Sequence, residues 1–97
     1  MNIGKFWEEN EDEYLKSEKI KNPLHKFRDL NGMLLLANLV EKYNVGNDYG
    51  ILSCAEHDVV YFDVDCEKLE EFLTDEEALD LIRSGILFDD NGFYMNV

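Results

Sequence analysis

The sequence predicts an α+β fold in which two β-hairpins form one antiparallel sheet, with helices packed on one face. Three observations support this class. Apolar residues recur at helical spacing in separate stretches, short apolar runs flank tight turns, and helix followed by hairpin occurs twice, in the order ααββααββ. The 97 residues are enough for one hydrophobic core, so we expect a single acidic domain over residues 1–97.

A first helix is predicted near the N-terminus, with Asn2 as its N-cap. Residues 16–28 then reverse the sign of the charge, with five basic side chains against Glu18, and Pro23 breaks any helix there. We interpret this stretch as a solvated loop in which His25 is a loop or packing residue. The apolar residues of the first helix recur at roughly helical spacing: Ile3, Phe6, Trp7, Tyr14 and Leu15.

A second helix is predicted to begin at Asp29 or Asn31, either of which could cap it, and to end at Asn44 and Gly46. Between residues 33 and 43 it is apolar around most of its circumference. Such a helix must be covered on several sides, either by the rest of the domain or by a second subunit. We favour the first interpretation and keep the second as the alternative.

The first hairpin is predicted from residues 51–56 and 59–64, joined across His57-Asp58. The two-residue repeat of a strand places Val60 and Phe62 on one face and Tyr61 on the other. The second hairpin joins residues 86–88 to 93–97 through a turn that ends in Asn-Gly, a pair that tolerates the positive φ angles of a tight turn.

Two more helices are predicted between the hairpins. A short one is indicated by Leu69, Phe72 and Leu73. The next begins at Thr74, which together with Glu77 has the spacing of a capping box. Its inward-facing residues are expected to be Ala78, Leu79 and Ile82, and Arg83 and Gly85 suit its end.

Charge is the most unusual property of the chain. It has 22 acidic and 9 basic residues, for a net charge of -13, and residues 49–97 carry almost all of the excess. Free DNA, RNA and anionic lipid are poor partners, because a strongly acidic protein is repelled by polyanions. A basic protein surface is the natural complement. The chain has no long apolar segment and no N-terminal signal pattern, so we expect a cytoplasmic protein without a membrane role.

Metal binding is suggested by Cys54, His57 and Cys66. The spacing is not that of a common zinc site and a fourth ligand is missing, so we interpret both cysteines as buried structural residues. A calcium loop beginning at Asp63 would need glycine at its sixth position and glutamate at its twelfth, where the chain has lysine and threonine. We expect no metal and no cofactor.

Catalysis by Cys54 with His57 as its base is suggested by the same residues. Nothing around the pair resembles an oxyanion hole or an orienting carboxylate. The neighbouring Glu56 and Asp58 would oppose formation of a thiolate by charge repulsion. We therefore expect a protein that is not an enzyme.

Ten acidic residues lie between residues 58 and 80, opposed only by Lys68. Held on rigid elements, they could imitate the regular charge of a nucleic-acid backbone, about one charge per ~1.7 Å of duplex. The alternative is that they only confer solubility, although solubility does not require such crowding of like charges. The candidate partner-binding residues, with one tyrosine as an aromatic contact, are Asp58, Tyr61, Asp63, Asp65, Glu67, Glu70, Glu71, Asp75, Glu76, Glu77 and Asp80.

In size and charge the chain is similar to the small acidic inhibitors that phages and mobile elements encode against nucleases, including anti-CRISPR and anti-restriction proteins. The similarity is one of composition and involves no shared motif. It implies a non-enzymatic inhibitor that occupies a basic, nucleic-acid-binding surface of another protein. The second hypothesis is a small structural or regulatory subunit, or an immunity-type protein, that uses the helix at residues 33–43 for homodimer formation or docking.

Overall fold

The computed structural model describes residues 1–97 and confirms the predicted class and order of elements. The helices are α1 (Ile3–Glu9), α2 (Arg28–Tyr43), α3 (Cys66–Leu69) and α4 (Asp75–Arg83). The strands are β1 (Leu52–Glu56), β2 (Val59–Phe62), β3 (Ile86–Asp89) and β4 (Gly92–Asn96). Two short 3-10 turns, Glu11–Glu13 and Ser17–Lys19, lie between α1 and α2. No helix has the length and apolar character needed to cross a bilayer.

The four strands form one antiparallel sheet in the order β1-β2-β4-β3. The two hairpins are joined where β2 pairs with β4, with Tyr61 opposite Tyr94. Partners in this register share a face of the sheet, so the strands have an inner and an outer side. The inner side includes Val60, Phe62, Ile86, Phe93 and Met95, and the outer side includes Tyr61, Leu87 and Tyr94.

The core lies between the inner side of the sheet and the helices. Trp7 of α1 is 6% exposed and contacts the rings of Phe88 and Phe93. Its indole Nε1 donates a hydrogen bond of 2.9 Å to the carbonyl oxygen of Ile86. Because Ile86 belongs to the outermost strand at this end of the sheet, α1 covers the edge of β3.

The first helix is shorter than predicted. It ends at Glu9, where the side chain of Asn10 donates a hydrogen bond of 2.8 Å to the carbonyl of Phe6. The chain then makes a 3-10 turn and Leu15 adopts a left-handed conformation with φ of 64°. The prediction that the helix includes Tyr14 and Leu15 is therefore wrong.

The start of α2 also differs from the prediction, because neither Asp29 nor Asn31 is its N-cap. The cap residue is Phe27, and Asn31 lies inside the helix with its side chain buried. Asn31 Oδ1 accepts hydrogen bonds from the backbone amides of Leu24 and His25, at 2.6 and 3.2 Å. Its Nδ2 donates to Ser84 Oγ at 2.8 Å. The asparagine therefore fastens the preceding loop to α4 instead of capping the helix.

The apolar circumference of α2 is only partly covered. Leu36 and Leu39 are buried in the core, whereas Leu30 and Leu34 are exposed. Together with Phe27, which is also exposed, they form an apolar stripe along one side of the helix. The helix ends as predicted, at Asn44 in a left-handed conformation. The stretch before it is mostly a loop, as predicted, but it contains the 3-10 turn Ser17–Lys19 and ends before Arg28, which already belongs to α2. In this loop His25 Nδ1 accepts a hydrogen bond from the amide of Phe27.

The region between the hairpins departs from the prediction in three details. Strand β2 ends at Phe62 instead of residue 64, because Asp65 caps α3 through its side chain. Phe72 lies beyond α3 and is exposed. Its ring stacks on that of Tyr43, with the ring centroids 5.5 Å apart. In α4 the capping box of Thr74 is confirmed. The prediction named Leu79 as an inward-facing residue, but Leu79 is half-buried, and the fully buried leucine of this helix is Leu81.

Candidate acidic interface

The structure divides the ten predicted acidic residues into two groups. Three are partly buried and make contacts within the protein: Glu70, Glu77 and Asp80. Seven are exposed: Asp58, Asp63, Asp65, Glu67, Glu71, Asp75 and Glu76. The carboxylates of the second group are more accessible to a partner, although Asp63 accepts a hydrogen bond from Asn47 and Asp65 accepts one from the amide of Lys68.

Glu70 holds the N-terminal segment in place. Its carboxylate Oε2 accepts a hydrogen bond of 2.7 Å from the backbone amide of Ile3. Its backbone carbonyl accepts another of 2.7 Å from the amino group of Met1. The carboxylate therefore satisfies a backbone donor at the start of α1, and contact between Glu70 and a partner stays a prediction.

Glu77 connects α4 to α2. Its carboxylate accepts hydrogen bonds from the Thr74 amide at 3.0 Å, the Tyr43 hydroxyl at 2.8 Å and Lys42 Nζ at 3.0 Å. Burial alone would raise the pKa of Glu77, but these donors outweigh it and hold the pKa below the ordinary value. Glu77 therefore has a structural role, and its contact with a partner stays a prediction.

Asp80 belongs to a partly buried ion-pair network. Arg83 donates to Asp80 Oδ1 at 3.3 Å and to Glu13 Oε1 at 2.9 Å. Burial raises the pKa of Asp80 despite the guanidinium beside it, whereas the hydrogen bond from Arg83 lowers the pKa of Glu13. The network links α4 to the 3-10 turn after α1. Asp80 therefore has a partner within the protein, and its contact with another protein stays a prediction.

Several exposed carboxylates meet at one end of the sheet. Asp63 follows β2, while Asp65 and Glu67 lie at the start of α3. The register of β2 against β4 brings the β3–β4 turn, with Asp89 and Asp90, to the same end. Consistent with this, a Cβ at Gly92 would lie 3.9 Å from the sulfur of Cys66. We call this group the acidic end, defined by the exposed Asp63, Asp65, Glu67 and Asp90 together with the half-buried Asp89.

The acidic end continues along the chain into Glu71, Asp75 and Glu76. Asp75 and Glu76 occupy the first turn of α4, where the helix dipole stabilises negative charge. The only cation within this stretch is Lys68. Its ammonium donates a hydrogen bond of 3.1 Å to the carbonyl of Asn44 at the end of α2. The interface therefore has no basic side chain aimed at its acids.

Asp58 lies apart from the other acids, at the opposite end of β2. The four residues of β2 separate it from Asp63, so the two lie five steps of extended chain apart, or about 16 Å at ~3.3 Å per step. Tyr61 lies between the two ends on the outer face, where its hydroxyl donates to Asp89 Oδ2 at 3.0 Å. That hydrogen bond raises the pKa of Tyr61. Tyr61 therefore borders the acidic end, whereas Asp58 does not.

Two acids of the acidic end, Asp89 and Asp90, were missed by the sequence analysis, which assigned them only to a turn. Their position beside Asp63 depends on the pairing of β2 with β4, residues far apart in the chain. The negative charge of the turn itself was visible in the sequence.

The cysteines differ from the prediction that both are buried. Cys54 is exposed on β1, and Cys66 is half-buried with its thiol donating to the carbonyl of Val64 at 3.5 Å. Burial raises the pKa of Cys66 to about 11. No group of three His, Cys, Asp or Glu side chains is placed to hold a metal ion.

The two thiols should differ in reactivity. In single-cysteine variants, Cys66→Ser and Cys54→Ser, we expect iodoacetamide at pH 8 to modify Cys54 at least about 10-fold faster than Cys66, because the thiolate is the nucleophile. Mass spectrometry over a time course measures both rates. Equal rates in the folded protein would contradict the burial of Cys66, and unfolding in urea should abolish the difference.

In comparisons with known proteins, no family model, no curated protein and no solved structure matches the chain. Its function is therefore inferred from the placement and charge of its own residues.

Proposed function

We propose that the protein is a non-enzymatic inhibitor that occupies a basic, nucleic-acid-binding surface of a partner protein, in the manner of phage anti-defence or anti-CRISPR proteins. In this proposal it acts in the cytoplasm. The observation that supports it most directly is the succession of carboxylates from the acidic end through Glu71 to Glu76, all exposed except Asp89, with no free cation among them.

The ordered backbone beneath these carboxylates favours binding over a purely solubilising role. Asp65 is fixed as the N-cap of α3, and the backbone of Asp75 and Glu76 belongs to the first turn of α4. Because this backbone is already ordered, binding to lysine and arginine has to fix only the side chains. A surface of this kind speeds association with a basic partner and makes the affinity depend strongly on salt.

The proposal is tested by reversing charges that have no internal contact. The triple variant Glu67→Lys, Glu71→Lys and Glu76→Lys should bind the partner about 100-fold more weakly, taking ~1 kcal/mol for each reversed charge. A matched control reverses three exposed acids elsewhere: Glu8→Lys, Glu11→Lys and Asp12→Lys. Both triples change the net charge equally, so only the position differs.

The partner is first captured from a lysate of the source organism or its host at low salt, then identified and purified. Binding of each triple variant is measured at low and high salt, and nucleic acid is added as a competitor. We expect the control to retain most of its affinity, and nucleic acid to displace the protein. Equal loss in the two triples, or binding that is independent of salt and of nucleic acid, would contradict the proposal.

A second candidate function is a structural, regulatory or immunity-type subunit, favoured by the exposed stripe of Phe27, Leu30 and Leu34 on α2. The stripe lies nearer the start of α2 than the segment 33–43 expected from the sequence, since Leu36 and Leu39 are buried. Sedimentation over a range of concentrations separates the two functions. A salt-resistant homodimer that Leu34→Glu dissociates would favour the subunit.

A further inference from the structure

The two edges of the sheet differ in their cover. The edge of β3 is covered by α1, and the Trp7 indole hydrogen-bonds to the Ile86 carbonyl there. The edge of β1 has no such cover, because every residue from Leu52 to Glu56 is exposed, with Leu52 at 59%. An uncovered edge strand presents unpaired backbone amides and carbonyls that can pair with another chain.

The outward backbone groups of β1 can be assigned from its pairing. Glu56 pairs with Val59 across the two-residue turn, and Ala55 pairs with Val60. In an antiparallel ladder, hydrogen-bonded pairs alternate with non-hydrogen-bonded pairs. The residues of a non-hydrogen-bonded pair direct their backbone amides and carbonyls away from each other's strand. The pair that flanks a two-residue turn, here Glu56 and Val59, is hydrogen-bonded. The next pair, Ala55 and Val60, is therefore not, so the amide and carbonyl of Ala55 point away from β2.

A groove of about 450 Å³ lies beside the start of β1, between α2 and residues 46–51. Ala37, Val40 and Ile51 contribute apolar side chains to its lining, and Glu41 and Asp48 contribute carboxylates. Ile51 directly precedes β1, so the groove lies next to the N-terminal end of that strand.

The loop that forms one wall of the groove is ordered by its own hydrogen bonds. Asn47 Oδ1 accepts from the backbone amides of Tyr49 at 2.8 Å and Gly50 at 3.1 Å, and Asn47 Nδ2 donates to Asp63. Tyr49 is held 99% exposed beside the groove. The hydrogen bond between Asn47 and Asp63 therefore links this loop to the acidic end.

We propose that the basic partner binds by adding an extended segment to the edge of β1 and placing a lysine or arginine side chain in this groove. The inference rests on the proposed function and specifies how the partner is held. Lysine and arginine match the groove because their aliphatic stems cover apolar surface while their charged ends reach carboxylates, here Glu41 and Asp48. Backbone pairing with β1 supplies affinity, and the alternating side chains supply specificity.

The probe is a synthetic peptide, acetyl-Thr-Lys-Val-Arg-Val-Lys-Thr-amide, which presents its basic residues on one face of a strand. A control peptide of the same sequence carries N-methyl groups on all three residues of its central valine-arginine-valine segment. Its charge is unchanged, but pairing is blocked at both edges of the peptide strand. We expect the control to bind at least about 10-fold more weakly. On binding of the probe, NMR should show reduced hydrogen exchange at Ala55 and shifts at Val40 and Ile51.

Two variants of the protein test the edge and the groove separately. Ala55→Pro removes an outward amide and should weaken probe binding about 10-fold, and circular dichroism checks that the fold is retained. The double variant Glu41→Gln and Asp48→Asn should also weaken binding. Its matched control, Asp75→Asn and Glu76→Gln, removes two charges from α4 and should have a smaller effect.

The outcomes separate this inference from the proposed function. Equal binding by the two peptides, shifts confined to the acidic end, or no binding of the probe would overturn strand addition. The proposed function fails instead if the lysine triple at Glu67, Glu71 and Glu76 binds the captured partner as well as its control triple does.

Discussion

Replacing Trp7 with alanine should lower the free energy of unfolding by about 3–5 kcal/mol. The indole is 6% exposed, and its ring centroid lies 5.3 Å from that of Phe93 and 6.3 Å from that of Phe88. Its loss also leaves the carbonyl of Ile86 without its partner. Because small domains are stable by only about 5–15 kcal/mol, this change should bring the protein close to unfolding at room temperature.

Urea denaturation followed by far-ultraviolet circular dichroism measures this effect, since the variant lacks the only tryptophan. Trp7→Phe keeps most of the apolar contact but not the hydrogen bond, and should cost about 1–3 kcal/mol. Tyr49→Ala, at a side chain 99% exposed, serves as the control and should change stability by less than about 0.5 kcal/mol. A loss under about 1 kcal/mol in Trp7→Ala would show that α1 does not pack on the sheet as described.

The second large effect is expected from Asn31→Leu, which should lower the free energy of unfolding by about 2–4 kcal/mol. The leucine has a similar size but removes the acceptor of two backbone amides, those of Leu24 and His25, and the donor to Ser84. Buried or partly buried polar groups left without partners cost about 1–3 kcal/mol each, with water offsetting part of this at the half-exposed loop.

The control is Asn38→Leu on the exposed side of the same helix, which should change stability by less than about 0.5 kcal/mol. Urea denaturation gives both values. Hydrogen exchange provides a second readout, since the amides of Leu24 and His25 should exchange faster in Asn31→Leu. Equal stability of the two variants would contradict the buried role of Asn31.

The elements that could be predicted from the sequence are those set by neighbouring residues. The capping box of Thr74 and Glu77 and the hairpin around Asn91-Gly92 depend on contacts a few residues apart, and both are confirmed. Asn31 shows the limit of such signals. Its side chain does accept backbone hydrogen bonds, as a cap would, but from the loop before the helix and not from the helix itself.

The candidate interface was harder to predict, because exposure of an acid depends on distant contacts. Glu70 is occupied by the amide of Ile3, 67 positions away, and no local pattern indicates this. Glu77 is different, since its place in a capping box already indicated that its carboxylate has a partner. The addition of Asp89 and Asp90 required the pairing of β2 with β4, which the sequence left open.

The open edge of β1 also bears on how the protein avoids sticking to itself. Unprotected strand edges are the usual starting points of aggregation, and natural proteins often guard them with charge. The net charge of -13 can act as that guard, because it repels another copy of the chain while it attracts a basic strand. The sign of the charge then decides which strands reach the edge. High salt screens both the repulsion between copies and the attraction to a basic strand. The salt concentrations that release the partner should therefore also favour precipitation of the protein.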